Sequence, residues 1–410
     1  MDAWNYFVDL FARVRADFIE MLQGFDLPSS LIIFLDSLVG ITLILLIVFP
    51  IVMLFTWMER RFIARFQLRP GPNRCGPLGL LYPIADGIKL LTKEFIMPAK
   101  GDKLIHWIAP VVLFFSAFMV FAVFPIGKGS MGALSDLNIG ILYVVAIGSL
   151  GVIGIFMAGW ASNNKYSLIG AMRSVAQLIS YEVPMVLAIV GVVLIVGSLQ
   201  MGEIVGKQSI PFILMQPLGF LIYFIGAITE LNRSPMDMIE ADSEIVAGYF
   251  TEYSGMKFAV FYIGEYMNTL AVAIITTTLF LSGWKGPFLP VWFWFIIKVL
   301  AVFMFILWMR ATLMRLRIDQ VMAFSWKALL PLALINIFVT AAEVLAWDRW
   351  MSGWESFPWP FIFVNFAITG VLIVAWAKLF FKTGGGRIEV GGYRARYSQR
   401  YGANPQAPVS

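Results

Sequence analysis

ITELNRSPMDMIEADSEIVAGYFTEYSGMKFAVFYIGEYMN, residues 228–268, is a polar stretch set between runs apolar enough to lie in a bilayer. It carries Glu230, Asp237, Glu240, Asp242, Glu244, Glu252 and Glu265, seven of the 25 acids in the chain, against only Arg233 and Lys257. Acids in such surroundings are costly unless neutralised, paired or wetted, so their default reading is functional. Asp237, Glu240 and Glu244 fall at i, i+3 and i+7, one face of a short helix, with Asp242 turned away. A row of like charges makes some of its members harder to ionise, which suits groups that take up and pass on protons. The competing reading is a solvated acidic loop at a membrane surface, and the rest of the chain has to separate the two.

Working outward, the 410 residues are 60% hydrophobic and only 13% charged. A soluble domain carries about twice that charged share. The expectation is an all-α polytopic membrane protein. Crossing a bilayer takes about 20 mainly apolar residues, and nine stretches qualify, near 36–58, 107–126, 139–160, 178–199, 212–231, 258–282, 289–309, 329–348 and 359–381. Strict alternation, the mark of a β-barrel, is absent. Residues 1–30 lack the basic start and apolar run of a signal peptide and read as an amphipathic surface helix. The predicted organisation is that surface helix, a membrane core over 31–350, an extra transmembrane helix over 351–382 and a flexible basic tail over 383–410.

One cysteine, Cys75, and one histidine, His106, leave no disulfide framework and no Cys or His cluster for an iron–sulfur, zinc or haem site. The chain is therefore expected to hold no redox centre or metal of its own. Placing the N-terminus outside and the C-terminus inside puts 22 of the 30 Lys and Arg on the inner side, so the positive-inside rule predicts that orientation. It also accounts for a pI of about 9.2 without any nucleic-acid partner.

The first inner loop, ERRFIARFQLRPGPNRCGPLGLLYPIADGIKLLTKEFIMPAKGDKLIHW from Glu59 to Trp107, crowds Arg60, Arg61, Arg65, Arg69 and Arg74 around the turn Pro70-Gly71-Pro72-Asn73. Leu80 to Phe95 reads as a short interfacial helix with Asp86, Lys89, Lys93 and Glu94. Topogenic arginines beside a surface helix are one reading; a docking surface or a lined opening is the other. Glu182 enters a span just before Pro184, with Arg173 and Gln177 upstream, as a carboxylate capped by a base or as part of a polar path. Glu230, Glu265, Lys298 and Glu343 extend that string of polar residues through successive spans. In a fourth inner loop Arg310, Arg315, Arg317 and Asp319 gather: positive-inside topology explains the arginines alone, whereas Asp319 two residues after Arg317 suggests an ordered, paired cluster. His106 reads as an interfacial residue.

Several of these pieces resemble the H-subunit family of NADH-quinone oxidoreductase, respiratory complex I. They are Glu59-Arg60-Arg61, Arg69-Pro70-Gly71-Pro72-Asn73-Arg74, Ala85-Asp86-Gly87, Ser180-Tyr181-Glu182, Glu244-Ile245-Val246-Ala247-Gly248, Glu252-Tyr253-Ser254-Gly255 and Arg310-Ala311-Thr312-Leu313. The likeness runs from about residue 36 to 350. Departures from the family's pattern are Tyr82 for a usual Gln, Leu231 within a usual Glu-Thr-Asn-Arg, Asp242 for Glu and Met314 for Pro.

The resemblance implies a membrane subunit of a proton-pumping NADH:quinone oxidoreductase in a bacterial inner membrane. Quinone would be its substrate, and NADH, FMN and Fe–S clusters would sit on partner subunits. Soluble B and D subunits would complete the quinone chamber, with small membrane subunits and antiporter-like subunits alongside. Glu59, Arg60, Arg69, Asp86, Arg310, Arg315, Arg317 and Asp319 would line or brace the quinone mouth and chamber. Glu182, Glu230, Glu240, Asp242, Glu244 and Glu265 would carry charge onward into the membrane arm. The alternatives are the anchor of a related membrane-bound hydrogenase and an independent ion transporter. The arginine-rich turn at 69–74 favours the quinone reading over the first, and inverted repeats, expected of the second, are not evident.

Overall fold

The structure, a computed structural model, describes residues 28–125, 137–238, 247–288, 290–350 and 359–382, together with Glu20. Most of the expected surface helix, the acids Glu240, Asp242 and Glu244, and the tail 383–410 lie outside the described residues. The elements are α1 (Ser29–Phe66), α2 (Tyr82–Thr92), α3 (Lys103–Met119), α4 (Gly140–Ala161), α5 (Lys165–Val196), α6 (Met201–Lys207) and α7 (Phe212–Met215). They continue with α8 (Pro217–Glu230), α9 (Gly255–Phe280), α10 (Val291–Thr312), α11 (Ile318–Phe324), α12 (Leu330–Trp350) and α13 (Trp359–Lys382).

Eight of the described helices are long and apolar enough to cross a membrane, the last but one running from α11 through a π-turn at Ser325–Leu329 into α12. The stretch predicted as a span over 212–231 differs: it breaks at Gln216 into the four-residue α7 and the 14-residue α8. Pro217 is the reason, since a proline cannot donate the backbone hydrogen bond that would continue a helix through it. The buried side chain of Gln216 then spans the break, donating to the carbonyl of Gly191 at 3.2 Å and to Thr340 Oγ1 at 2.9 Å.

Small residues bring the central helices together, as they do where lipid offers no hydrophobic drive between helices. At Gly154 of α4 a Cβ would lie 3.1 Å from the backbone nitrogen of Leu113 on α3. Helix α5 lies at the centre, against α4, α8 and α12, while α9 packs on α3, α10 and α1. Most of the buried apolar side chains form one cluster across these helices.

One end of the bundle carries the 67–102 loop, and there α1, α4, α8 and α10 finish while α5 and α9 start. At this basic end α2 lies against α1 and α9. The arginine-rich turn closes over Gly79, which sits at φ +79° and whose added Cβ would come 2.1 Å from the carbonyl oxygen of Pro72. Only glycine fits there.

Candidate functional site

The polar residues of the basic end assemble in three linked groups. The first is a clamp on Glu59, near the end of α1, which is 3% exposed. Arg233, in the loop after α8, donates from Nη1 to Glu59 Oε2 at 2.7 Å, and Arg310 of α10 pairs with Glu59 Oε1. A carboxylate this buried stays charged because two guanidiniums meet it. Burial works against the charge on Arg233, yet Glu59, with Tyr266 and Glu265 beside it, holds the guanidinium above its ordinary value. The Arg233 guanidinium also lies 4.7 Å from the ring centre of Tyr266.

The second group joins this clamp to α2. Arg60 donates to Tyr82 Oη at 2.5 Å and to Asp86 Oδ2 at 3.2 Å, and its guanidinium lies 4.7 Å from the Tyr82 ring centre. Lys89 pairs with the other oxygen of Asp86, which raises the lysine above its ordinary value. Tyr262 approaches Arg60 and shares a 3.1 Å hydroxyl contact with Tyr266. The polar chain thus runs Lys89, Asp86, Arg60, Tyr262, Tyr266, Arg233, Glu59, Arg310.

The third group lies deeper. Two small cavities meet at Gly148 and Glu230. One, of about 40 Å³, is lined by Glu182, Glu230 and Tyr223 among apolar residues. The other, of about 30 Å³, is lined by Glu230, Glu265, Asn232, Asn268 and Tyr249. Each has room for at least one water, which needs roughly 10–15 Å³ of such space and a few polar partners. Three carboxyls from α5, α8 and α9 are therefore strung along two wettable spaces. Ser149 of α4 donates to Glu182 Oε1. Gln177 fixes the loop that carries Arg233 by donating to the carbonyls of Thr229 at 3.2 Å and Met236 at 2.7 Å. Arg233 couples to Glu59 on one side and Glu265 on the other, and so links the clamp to the acid row.

Of the residues singled out from sequence, Glu59 meets Arg310, Arg60 meets Asp86, and Glu182, Glu230 and Glu265 share the cavities. Arg69 is exposed and donates to Gln67 Oε1 at 2.6 Å, away from the clamp. Arg315, Arg317 and Asp319 are exposed as well. The expected ion pair between Arg317 and Asp319 does not form: Asp319 sits in the first turn of α11, where its charge favours the helix N-terminus. His106 is a correction too. Instead of facing the interface it is fully buried, 2.9 Å from Lys257 Nζ and stacked on Tyr253 at 4.0 Å between ring centres. Lys298 is spent on structure, donating to the carbonyls of Leu281, Gly283 and Lys285. Among the described residues no three His, Cys, Asp or Glu side chains converge as a metal site would need. Arg233, Tyr262, Tyr266 and Ser149 were missed as site residues. For Arg233 a signal existed, since it is one of only two bases in the acidic stretch.

A family model described as NADH dehydrogenase matches residues 39–341. The chain is 57% identical over 339 residues to the H subunit of NADH-quinone oxidoreductase from Dehalococcoides mccartyi, covering 83% of this chain and 94% of the relative. It is 46% identical over 341 residues to the corresponding H subunit from Carboxydothermus hydrogenoformans, with 82% and 96% covered. For one of the H subunits from Geobacter metallireducens the figures are 47% over 311 residues, with 74% and 94% covered. A match across most of the chain, carrying the clamp and the acid row within it, means that the chain belongs to the NADH dehydrogenase family.

Proposed function

We propose that the chain is the H subunit of an NADH-quinone oxidoreductase in a bacterial inner membrane, shaping the mouth and chamber of a quinone site and carrying charge from it into the membrane. The relatives' shared name supports the assembly, and the geometry supports the division of labour. Partner subunits, soluble ones at the chamber and further membrane subunits beyond, would supply the electrons through FMN and Fe–S clusters. Arg60, Asp86, Glu59 and Arg310 stand at the chamber side. Arg69, Arg315, Arg317 and Asp319, exposed here, face the side where soluble partners would dock. Glu182, Glu230 and Glu265, with Glu240, Asp242 and Glu244 from the same stretch, form the onward path.

The chemistry follows from charge. A quinone gains two electrons and two protons on reduction, and nearby guanidiniums stabilise the negative charge that develops before the protons arrive. Charge appearing near Arg60 competes with Asp86 for it and is felt through Tyr262 and Tyr266 by Arg233. Arg233 divides its attraction between Glu59 and Glu265. When it leans toward Glu59, Glu265 is freer to take a proton, and water in the cavities passes that proton between Glu265, Glu230 and Glu182. Such a link is a coupling free energy between two charge distributions. The single observation that carries this reading is the pair of cavities meeting at Glu230.

The test is Glu230→Gln and Glu265→Gln in the assembled complex. Each variant is expected to assemble normally and to lose at least about tenfold in proton pumping, roughly 1.4 kcal/mol or more on the rate-limiting step. Full pumping and full quinone reductase activity in both would refute the path.

A further inference from the structure

Beyond the acid row, one half-buried carboxyl is left unused. Glu343 lies on α12 with Asn365 of α13 donating to its Oε2 at 2.9 Å. Its other oxygen, Oε1, is buried with no hydrogen-bond partner. Among the described residues no Lys or Arg pairs with it, and no charged group on the helices around it couples to it. An unpaired charge held in this way is strongly disfavoured, whereas a carboxylic acid is not: Oε2 accepts from the amide and Oε1 carries the proton.

A polar face runs along α12 beside Glu343. Asn336, Thr340 and Glu343 are spaced i, i+4, i+7, one face of α12 extending about 10 Å. Gln216 meets that face at Thr340, and both Gln216 Oε1 and Asn336 Nδ2 are buried without a partner. Asn336 is 5% exposed and Gln216 1%. Gly191 and Gly219 let α5 and α8 close tightly on these two amides: a Cβ at either would come within 3.2–3.3 Å of them. None of these residues lines the two cavities of the acid row. Glu343 and Asn365 also fall beyond residue 341, where the match to the family model ends.

We propose that Glu343 is a proton-binding site built jointly by α12 and α13, at the end of the polar face of Asn336 and Thr340 and separate from the Glu182–Glu230–Glu265 row. It takes a proton rather than a metal cation, because a single carboxyl with an amide N–H on one oxygen offers a cation only one free anionic oxygen. The helix α13 completes the site through Asn365, whose amide also holds the carbonyl of Phe361 at 3.2 Å.

Dicyclohexylcarbodiimide tests it in the intact complex, independently of quinone reduction. A protonated carboxyl adds O–H across a C=N bond of the carbodiimide, and the O-acylisourea rearranges to a stable N-acylurea with no leaving group. Peptide mass analysis is expected to find the adduct on Glu343, falling at least about threefold as pH is raised and the acid ionises. The Glu343→Gln chain should carry none on that peptide. Asn365→Leu removes a donor to the carboxylate and should raise labelling at the alkaline end, while Asn365→Gln keeps the donor and should restore it. Labelling that is absent throughout, independent of pH, or suppressed by sodium chloride but not by potassium chloride would overturn the proposal, the last in favour of a sodium site.

Discussion

Glu59 and Glu230 are the same side chain in two kinds of burial. Glu59 meets two guanidiniums and is locked as an anion between α1, α10 and the loop after α8. Glu230 has no arginine or lysine partner among the described residues and instead borders both cavities. A buried ion pair fixes a charge, because breaking it strands its partner; a carboxyl facing water and another carboxyl changes charge readily. The protein thus keeps a rigid electrostatic hinge next to a soft titratable row, with Arg233 touching both.

The contrast breaks hardest at Arg233. Arg233→Met leaves Glu59 with Arg310 alone and should cost about 3–5 kcal/mol. The expected outcome is a complex that loses this subunit on solubilisation or melts well below the wild type in a thermal scan, whereas the Glu230→Gln complex melts normally. Equal melting of the two variants would erase the distinction. A smaller effect tests the bridge: Tyr82→Phe removes one hydrogen bond from Arg60 while keeping the ring under it, about 1 kcal/mol. It should raise the KM for quinone a few-fold with little change in kcat, read from steady-state kinetics. The smallest sharpens the boundary of the site. Lys89 is 65% exposed, so Lys89→Ala should leave activity and melting within error at neutral pH. Its pairing with Asp86 raises the lysine above the ordinary 10.5, so the contribution is complete below that value and lost only as pH climbs past the raised one. A pH–stability curve measured from about pH 6 to about pH 9 should therefore overlay that of the wild type.

Membrane helices were legible because apolar length is a local property: α1, α3, α4, α5, α9, α10, α12 and α13 each overlap a stretch chosen from hydropathy. The 212–231 span was half right, since Gln216 between prolines reads as one polar residue in an apolar run but structurally breaks the helix. The site was less legible where its contacts are distant. Arg233 and Glu59 are separated by 174 positions, and Lys257 and His106 by 151, so nothing in their immediate surroundings announces the pairing. The acids stood out individually because charge is rare in this chain. Which of them are clamped and which border the cavities is decided by helix packing, and the sequence does not display that.

Gly148 has a consequence of its own. It stands where the two cavities meet, and a Cβ placed there would lie 3.4 Å from Glu230 Oε1, already at ordinary contact. A valine at that position would wedge a hydrocarbon plug between the chambers without altering a single charge, and deuterium exchange at Glu182 followed by infrared spectroscopy would report the blockage as a slowed phase. In the proposed path the missing side chain is in effect a doorway, and the permeability of the row to hydrogen ions would be set by a few carbon atoms on a helix that bears none of the acids.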